Sequence, residues 1–176
     1  MLYNDKDKQA LNNLKYYVKN YKIFIDTCSI LDEGVNKFWI NIIPLLQEYQ
    51  NRIIIPHRVF EELNKHATNT TKVKLAKDAV KSLRFLEQLN KNKLIEIRGE
   101  KTDNFVDNVF QVVFTKFRMK YKLLLITQDK NLTKDILSLN SGKAVRANTV
   151  HVRKINRYGF LSVYKFENSE SSSQRL

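Results

Sequence analysis

Ile23-Phe24-Ile25-Asp26-Thr27-Cys28-Ser29 is the stretch that decides the reading of this chain. Its apolar run is too short for a helix and shows no alternation. That pattern fits a strand buried on both faces, as in a parallel sheet. The run closes on an acid. Leu123-Leu124-Leu125-Ile126-Thr127-Gln128-Asp129 is built the same way, with a threonine and then an acid just past the strand. Between the two lie two more short strands, Ile53-Ile54-Ile55, stopped by Pro56, and Leu94-Ile95-Glu96-Ile97.

Helical periodicity fills the gaps. Leu11, Leu14 and Val18 predict an amphipathic helix over about 5–19. Phe38, Ile42, Leu45, Leu46 and Tyr49 predict another over about 37–50, with Pro44 kinking or splitting it. A helix carrying Val59, Phe60 and Leu63 follows the second strand, and Asn69-Thr70-Thr71 reads as a loop and cap. Val73, Ala76, Val80, Leu83, Leu86 and Leu89 form the stripe of a long helix over about 72–91. Lys74, Lys77, Lys81 and Arg84 run beside that stripe, as a solvated face or the lining of a groove. Val106, Val109, Phe110, Val113 and Phe117 predict a helix over about 103–120, and a short helix of about 130–139 follows the fourth strand. Residues 145–152 and 161–166 read as extended segments joined around Tyr158-Gly159. Strands alternating with helices make this an α/β chain with a mostly parallel sheet covered on both faces. The division expected is an N-terminal helix in 1–20, a domain over 21–166, and a Ser-rich, disordered tail over 167–176.

The 176 residues suit one domain, with enough apolar residues (43%) for a real core. Lys and Arg number 31 against 18 Asp and Glu, a net charge of +13. Such a balance speaks about partners rather than fold, and a phosphate polyanion is the leading one. An acidic protein partner or a lysine-rich genome would account for part of the same excess. The single cysteine, Cys28, permits no internal disulfide and fits a reducing, cytoplasmic setting. No apolar run approaches the roughly 20 residues of a membrane span, and the N-terminus has no signal-peptide core.

Four acids fall at the carboxyl ends of four consecutive strand units: Asp26, Glu62, Asp103 and Asp129. Ligands of open α/β sheets bind at that rim. Taken singly, each has a bland reading: a solvated strand end, a helix cap, a turn residue, a carboxylate paired with lysine. Together they would repel one another unless a cation or protons intervene. Hard oxygen donors select Mg²⁺ or Mn²⁺. Zinc is disfavoured, since His57, His66 and His151 have no ligand spacing. Two assignments stay open: Glu61 neighbours Glu62 but points about 100° away around the helix, and Asp107 lies one turn after Asp103. An acid cluster inside a basic chain points to a metal-dependent nuclease.

The four stretches resemble the motifs of PIN-domain nucleases. Ile23 to Leu31 is similar to the first, an apolar strand followed by Asp-Thr. Ile55-Pro56-His57-Arg58-Val59-Phe60-Glu61-Glu62-Leu63 resembles the second, with the acid before Leu. Asp103-Asn104-Phe105-Val106 resembles the third, and Thr127-Gln128-Asp129-Lys130-Asn131-Leu132 the fourth. The resemblance spans about residues 21–150. It implies a three-layer α/β/α fold and a metal-dependent endoribonuclease that leaves 5′-phosphate and 3′-hydroxyl ends. Asp26 and Asp129 would hold Mg²⁺ or Mn²⁺, Asp103 would help or hold a second ion, and Glu62 would orient or deprotonate the attacking water. Ser29 and Thr127 would bond the carboxylates or the scissile phosphate, and Asn131 would reach the metal through water. A homodimer, and a role as the toxin of a toxin–antitoxin pair with an antitoxin covering the active-site rim, are further implications.

Residues 143–165 carry Arg146, Arg153, Lys154 and Arg157 interleaved with Tyr158, Phe160 and Tyr164, and no acid. Cations beside aromatics suit RNA contact; an edge hairpin guarded by charges is the equal alternative. His57 and Arg58 are placed to meet a phosphate or to start a helix. A non-catalytic RNA-binding module of the same fold is the competing function, and retention of all four acids argues against it. A phosphoacceptor receiver would need paired acids after the first strand, where Asp32 and Glu33 come too late. A haloacid-dehalogenase-type phosphatase would need Asp-x-Asp, where Cys28 stands instead.

Overall fold

The computed structural model describes residues 5–99, 109–141 and 146–166. The elements run α1 (Asp5–Asn20), β1 (Lys22–Ile25), α2 (Thr27–Ile30), α3 (Val35–Glu48), β2 (Ile53–Pro56), α4 (His57–Ala67), α5 (Val73–Lys91), β3 (Ile95–Arg98), α6 (Val109–Phe117), β4 (Leu123–Ile126), α7 (Lys130–Ser138), β5 (His151–Ile155) and β6 (Leu161–Ser162). A single 3₁₀ turn, Leu139–Ser141, follows α7.

Among the described residues six strands form one sheet in the order β3-β2-β1-β4-β5-β6. All neighbours are parallel except β5 and β6. The continuous apolar strands β2 and β4 are buried along their whole length. Both faces are covered, so a solvent-facing alternation would gain nothing. Successive side chains point to opposite faces. Ile23, Ile25, Ile53 and Ile55 join the core beneath α1, α3, α4 and α5, with Leu14, Phe38, Ile42, Leu46 and Leu63. Phe24, Ile54 and Leu125 join the opposite core with Phe114 of α6 and Ile136 of α7. Each fully buried aliphatic side chain contributes about 1.5–3 kcal/mol.

Several sequence expectations are adjusted by packing. Pro44 does not split α3, which is one helix from Val35 to Glu48. Pro44 sits on the exposed face, where the carbonyl it leaves without an N–H partner is open to water. Pro56 ends β2 inside the ladder, in register with Arg98. Val73 is 56% exposed at the start of α5, and Ala79 takes the buried place expected of its stripe. Phe114, outside the stripe assigned to α6, is its fully buried residue. Asn69 does not cap α5: its Oδ1 accepts bonds from Thr71 and from the Lys72 N–H, closing the loop before the helix. The extended segment expected over 145–152 becomes β5 three residues or more later, and only Leu161–Ser162 of the last segment pairs. The turn between them brings Gly159, at φ 77, against the backbone of Lys37 and Phe38. The N-terminal helix is part of the same core, through Leu14, Tyr17 and Val18. The start of the helix expected at 103, and the tail 167–176, lie outside the described residues.

Candidate active site

β1 and β4 are adjacent in the sheet although β2 and β3 come between them in the chain. The strand order therefore reverses direction between β1 and β4, and the crevice beyond their carboxyl ends is where such sheets take ligands. Ile25 is in register with Ile126, so the next residues, Asp26 and Thr127, leave the sheet side by side.

Asp26 is only 5% exposed. Its Oδ1 accepts the Ser29 N–H at 2.9 Å, capping α2, and its Oδ2 accepts the Thr127 hydroxyl. The buried Ser29 hydroxyl adds a weaker interaction with the same carboxyl without a well-formed hydrogen bond. Burial pushes the Asp26 pKa above the usual carboxylate range. The Thr127 and Ser29 bonds pull it back, and the Asp129 charge pushes it further up. Asp129 caps α7, its Oδ1 accepting the N–H groups of Asn131 at 2.7 Å and Leu132 at 3.1 Å. Its own N–H donates to the Thr127 hydroxyl oxygen at 3.0 Å. Asp129 is the helix cap its bland reading proposed, whereas Asp26, read blandly as a solvated strand end, is a buried cap instead; both caps sit on one cleft.

Glu62, on α4, accepts the Thr27 hydroxyl at Oε2, 2.6 Å away. His66 Nε2 lies 3.8 Å from its Oε1. Glu61 points elsewhere, 3.7 Å from His57 Nδ1. Asp26, Glu62 and Asp129 line one cleft of about 330 Å³ with Asn131, Arg58 and Asp135. Cys28 opens onto the same cleft. Its thiol is pushed up to about 11, first by burial and then by the charges of Asp26, Glu62 and Asp129, so it is a neutral thiol inside an acidic field. A second cavity of about 380 Å³, under α6, is lined by Phe24, Ile54, Val113, Phe117 and Leu123, with no acid among the described residues.

Asp103 and Asp107 lie outside the described residues. Among the described residues no three Asp, Glu, His or Cys side chains are grouped to hold a metal. The donors that do converge are carboxylate oxygens, which suit a hard divalent cation rather than zinc. Asp135 was missed in the sequence. Its signal is positional: it stands four residues after Asn131, on the same face of α7.

The basic residues expected to meet RNA are dispersed. The Arg153 guanidinium lies 5.4 Å from the Tyr17 ring centroid, beneath α1. Arg157 bonds the Tyr158 hydroxyl at 2.7 Å, in the turn against α3. Arg146 is exposed at the start of the last described segment. Lys154 lies 5.4 Å from the centroid of Tyr164, whose hydroxyl donates to the Thr127 carbonyl. A groove of about 350 Å³, lined by Arg58, Glu61, Glu62, Lys65, His66, Asn69 and Lys72, continues the cleft along α4. It shares Arg58 and Glu62 with the acidic cleft.

A family model described as PIN domain matches residues 23–140. No curated protein matches the chain. Among solved structures, a domain of a functionally unknown protein from Methanocaldococcus jannaschii DSM 2661 is similar over 87% of this chain and 99% of its own length, at 20% identity and a TM-score of 0.44. Among the described residues no helix is long and apolar enough to cross a membrane.

Proposed function

We infer that this chain, which belongs to the PIN-domain family, is a metal-dependent endoribonuclease that hydrolyses RNA phosphodiester bonds. PIN domains are usually nucleases and typically use divalent metals, so the coarse activity follows from the family. The observation that carries the finer reading is the convergence of Asp26, Glu62 and Asp129 on one cleft that continues into a groove bearing Arg58, Lys65 and Lys72.

Mg²⁺ or Mn²⁺ held by Asp26 and Asp129, with Asp103 as the further ligand, would supply a bound water of lowered pKa and a counterweight to the phosphoryl charge. The protein's own residues do the positioning. Thr127 and Ser29 fix the Asp26 carboxyl, so its orientation is set before substrate arrives. The α7 N–H groups hold Asp129 in the same way. Glu62, steered by Thr27, takes a proton from the attacking water. The water oxygen bonds to phosphorus, the bond from phosphorus to the 3′ oxygen breaks, and the leaving oxygen is protonated from solvent. The products carry 5′-phosphate and 3′-hydroxyl ends. Arg58, Lys65 and Lys72 bind the phosphates that flank the cut.

The toxin of a toxin–antitoxin pair is the narrower form of this proposal. It predicts growth arrest on expression, relieved by Asp26→Asn. The enzyme itself is tested by cleavage of mixed RNA and single-stranded DNA with Mn²⁺, with Mg²⁺ and with EDTA. RNA cutting that needs the cation and disappears in Asp26→Asn supports the reading. Tight RNA binding with no cutting under any cation replaces it with a non-catalytic RNA-binding module.

A further inference from the structure

We propose that Tyr164 and Phe166, flanked by Lys134 and Lys154, form a subsite that holds one unpaired RNA base beside the Asp26–Asp129 cleft. The proposal rests on the ribonuclease reading above. Both rings belong to the stretch after residue 140, beyond the family match.

The two aromatics follow β6, two positions apart. Their ring centroids are 6.0 Å apart and their planes differ by 16°. Neither ring belongs to either hydrophobic core. Phe166 remains 38% exposed, so burial does not explain its place. Tyr164 ties the pair to the catalytic rim. Its hydroxyl donates to the Thr127 carbonyl at 3.0 Å, and the Thr127 hydroxyl holds Asp26. Lys154 Nζ lies 5.4 Å from the Tyr164 centroid, and Lys134 Nζ lies 5.9 Å from the Phe166 centroid.

This is the chemistry a single strand requires. A nucleobase has two apolar faces and stacks on an aromatic ring whatever its identity. Its backbone carries a phosphate that attracts an ammonium more strongly than a ring face does. Lys134 therefore moves from the ring onto the phosphate, and the base takes the outer face of Phe166. In a duplex those faces are already covered by neighbouring bases, so the subsite selects unpaired RNA.

The test uses Asp26→Asn protein, which binds without cutting, and a short single-stranded RNA of mixed sequence. A single abasic position is moved along the strand. One abasic position is expected to weaken binding about 10-fold, as is Phe166→Leu, which keeps an apolar side chain and loses the ring face. Combining them costs no more than either alone. Phe166→Tyr retains the binding and its abasic dependence. A flat abasic scan, or equal abasic cost with and without Phe166→Leu, overturns the proposal. Loss with Lys134→Ala but none with Phe166→Leu also overturns it, leaving an electrostatic contact only. Cleavage by the wild type is read in parallel. No cleavage overturns the ribonuclease reading; cleavage that Phe166→Leu leaves unchanged, with unchanged binding, overturns only the subsite.

Discussion

Thr127, just past β4, donates its hydroxyl to Asp26, just past β1, across 101 positions of chain. The same oxygen accepts the Asp129 N–H at 3.0 Å. One hydroxyl thus links both strand ends that form the cleft. Thr127→Val keeps the β-branched shape and removes that link. The Thr127 bond lowers the Asp26 pKa, so its loss moves the acidic limb of the pH–rate profile to higher pH. Activity should fall about 10–100-fold, with Thr127→Ser restoring most of it. An acidic limb that stays in place would sink this role.

Burial of Asp26 should make the catalytic centre a cost to stability when no cation is bound. Its folded pKa is raised above that of the unfolded chain. Stability present below the unfolded value of about 4 is therefore lost as pH rises through the folded value. Asp26→Asn removes this charge. In EDTA the variant should melt higher than wild type at neutral pH, and the difference should shrink as pH falls toward that lower limit. Thermal melts across pH give the answer, and equal midpoints at neutral pH would contradict it.

Asp129 has two separable roles. Asp129→Asn keeps an oxygen to accept the Asn131 and Leu132 N–H groups, whereas Asp129→Ala leaves both unmet at the start of α7. The alanine variant should lose about 1 kcal/mol of stability and the asparagine variant much less. Both should lose cleavage. Denaturant titration beside an RNA assay separates the two effects.

Glu62 and Glu61 face different partners: Thr27 and His66 for the first, His57 for the second. Glu62→Gln should reduce kcat about 100-fold or more, while Glu61→Gln costs far less. The reverse order would move the base to Glu61.

Mild acid should loosen α1. The Tyr17 hydroxyl on α1 is hydrogen-bonded to His151 Nδ1 on β5 at 2.9 Å. Burial, then Arg153 and Lys122, holds the His151 pKa below its ordinary value. The sign is that of a depressed group: its stability is present above about pH 6.5 and is lost as pH falls toward the folded value. Tyr17→Phe should cost about 1 kcal/mol at neutral pH, whereas His151→Asn, which removes the titrating imidazole, should flatten this dependence. Melting wild type and both variants across that range checks it.

The strands were legible because β2 and β4 are buried on both faces and so carry uninterrupted apolar runs. Asp26 and Asp129 were legible because each follows such a run. Helix boundaries and faces were less so. Pro44 reads as a break, but a break is not forced where the carbonyl left without a partner meets water. On α5 Ala79 is buried where periodicity assigns Val73, and on α6 Phe114 is buried outside the assigned stripe, because the register of a helix on a sheet is set by the surface it meets. Asp135 was hidden among surface acids, and only the placement of α7 brings it to the cleft. The basic residues of 143–165 are close in sequence, yet among the described residues Arg153 turns under α1, Arg157 toward α3 and Lys154 toward Tyr164.

The α/β alternation, the buried parallel strands and the acids at their ends can be read from the chain directly, since these depend on local periodicity and strand-end position. Which groups meet is a matter of packing: Thr127 with Asp26, Thr27 with Glu62, and Tyr164 with the Thr127 carbonyl. Those contacts follow from strand order. Placing β4 beside β1 joins residues that are distant in the chain, and no local pattern encodes that adjacency.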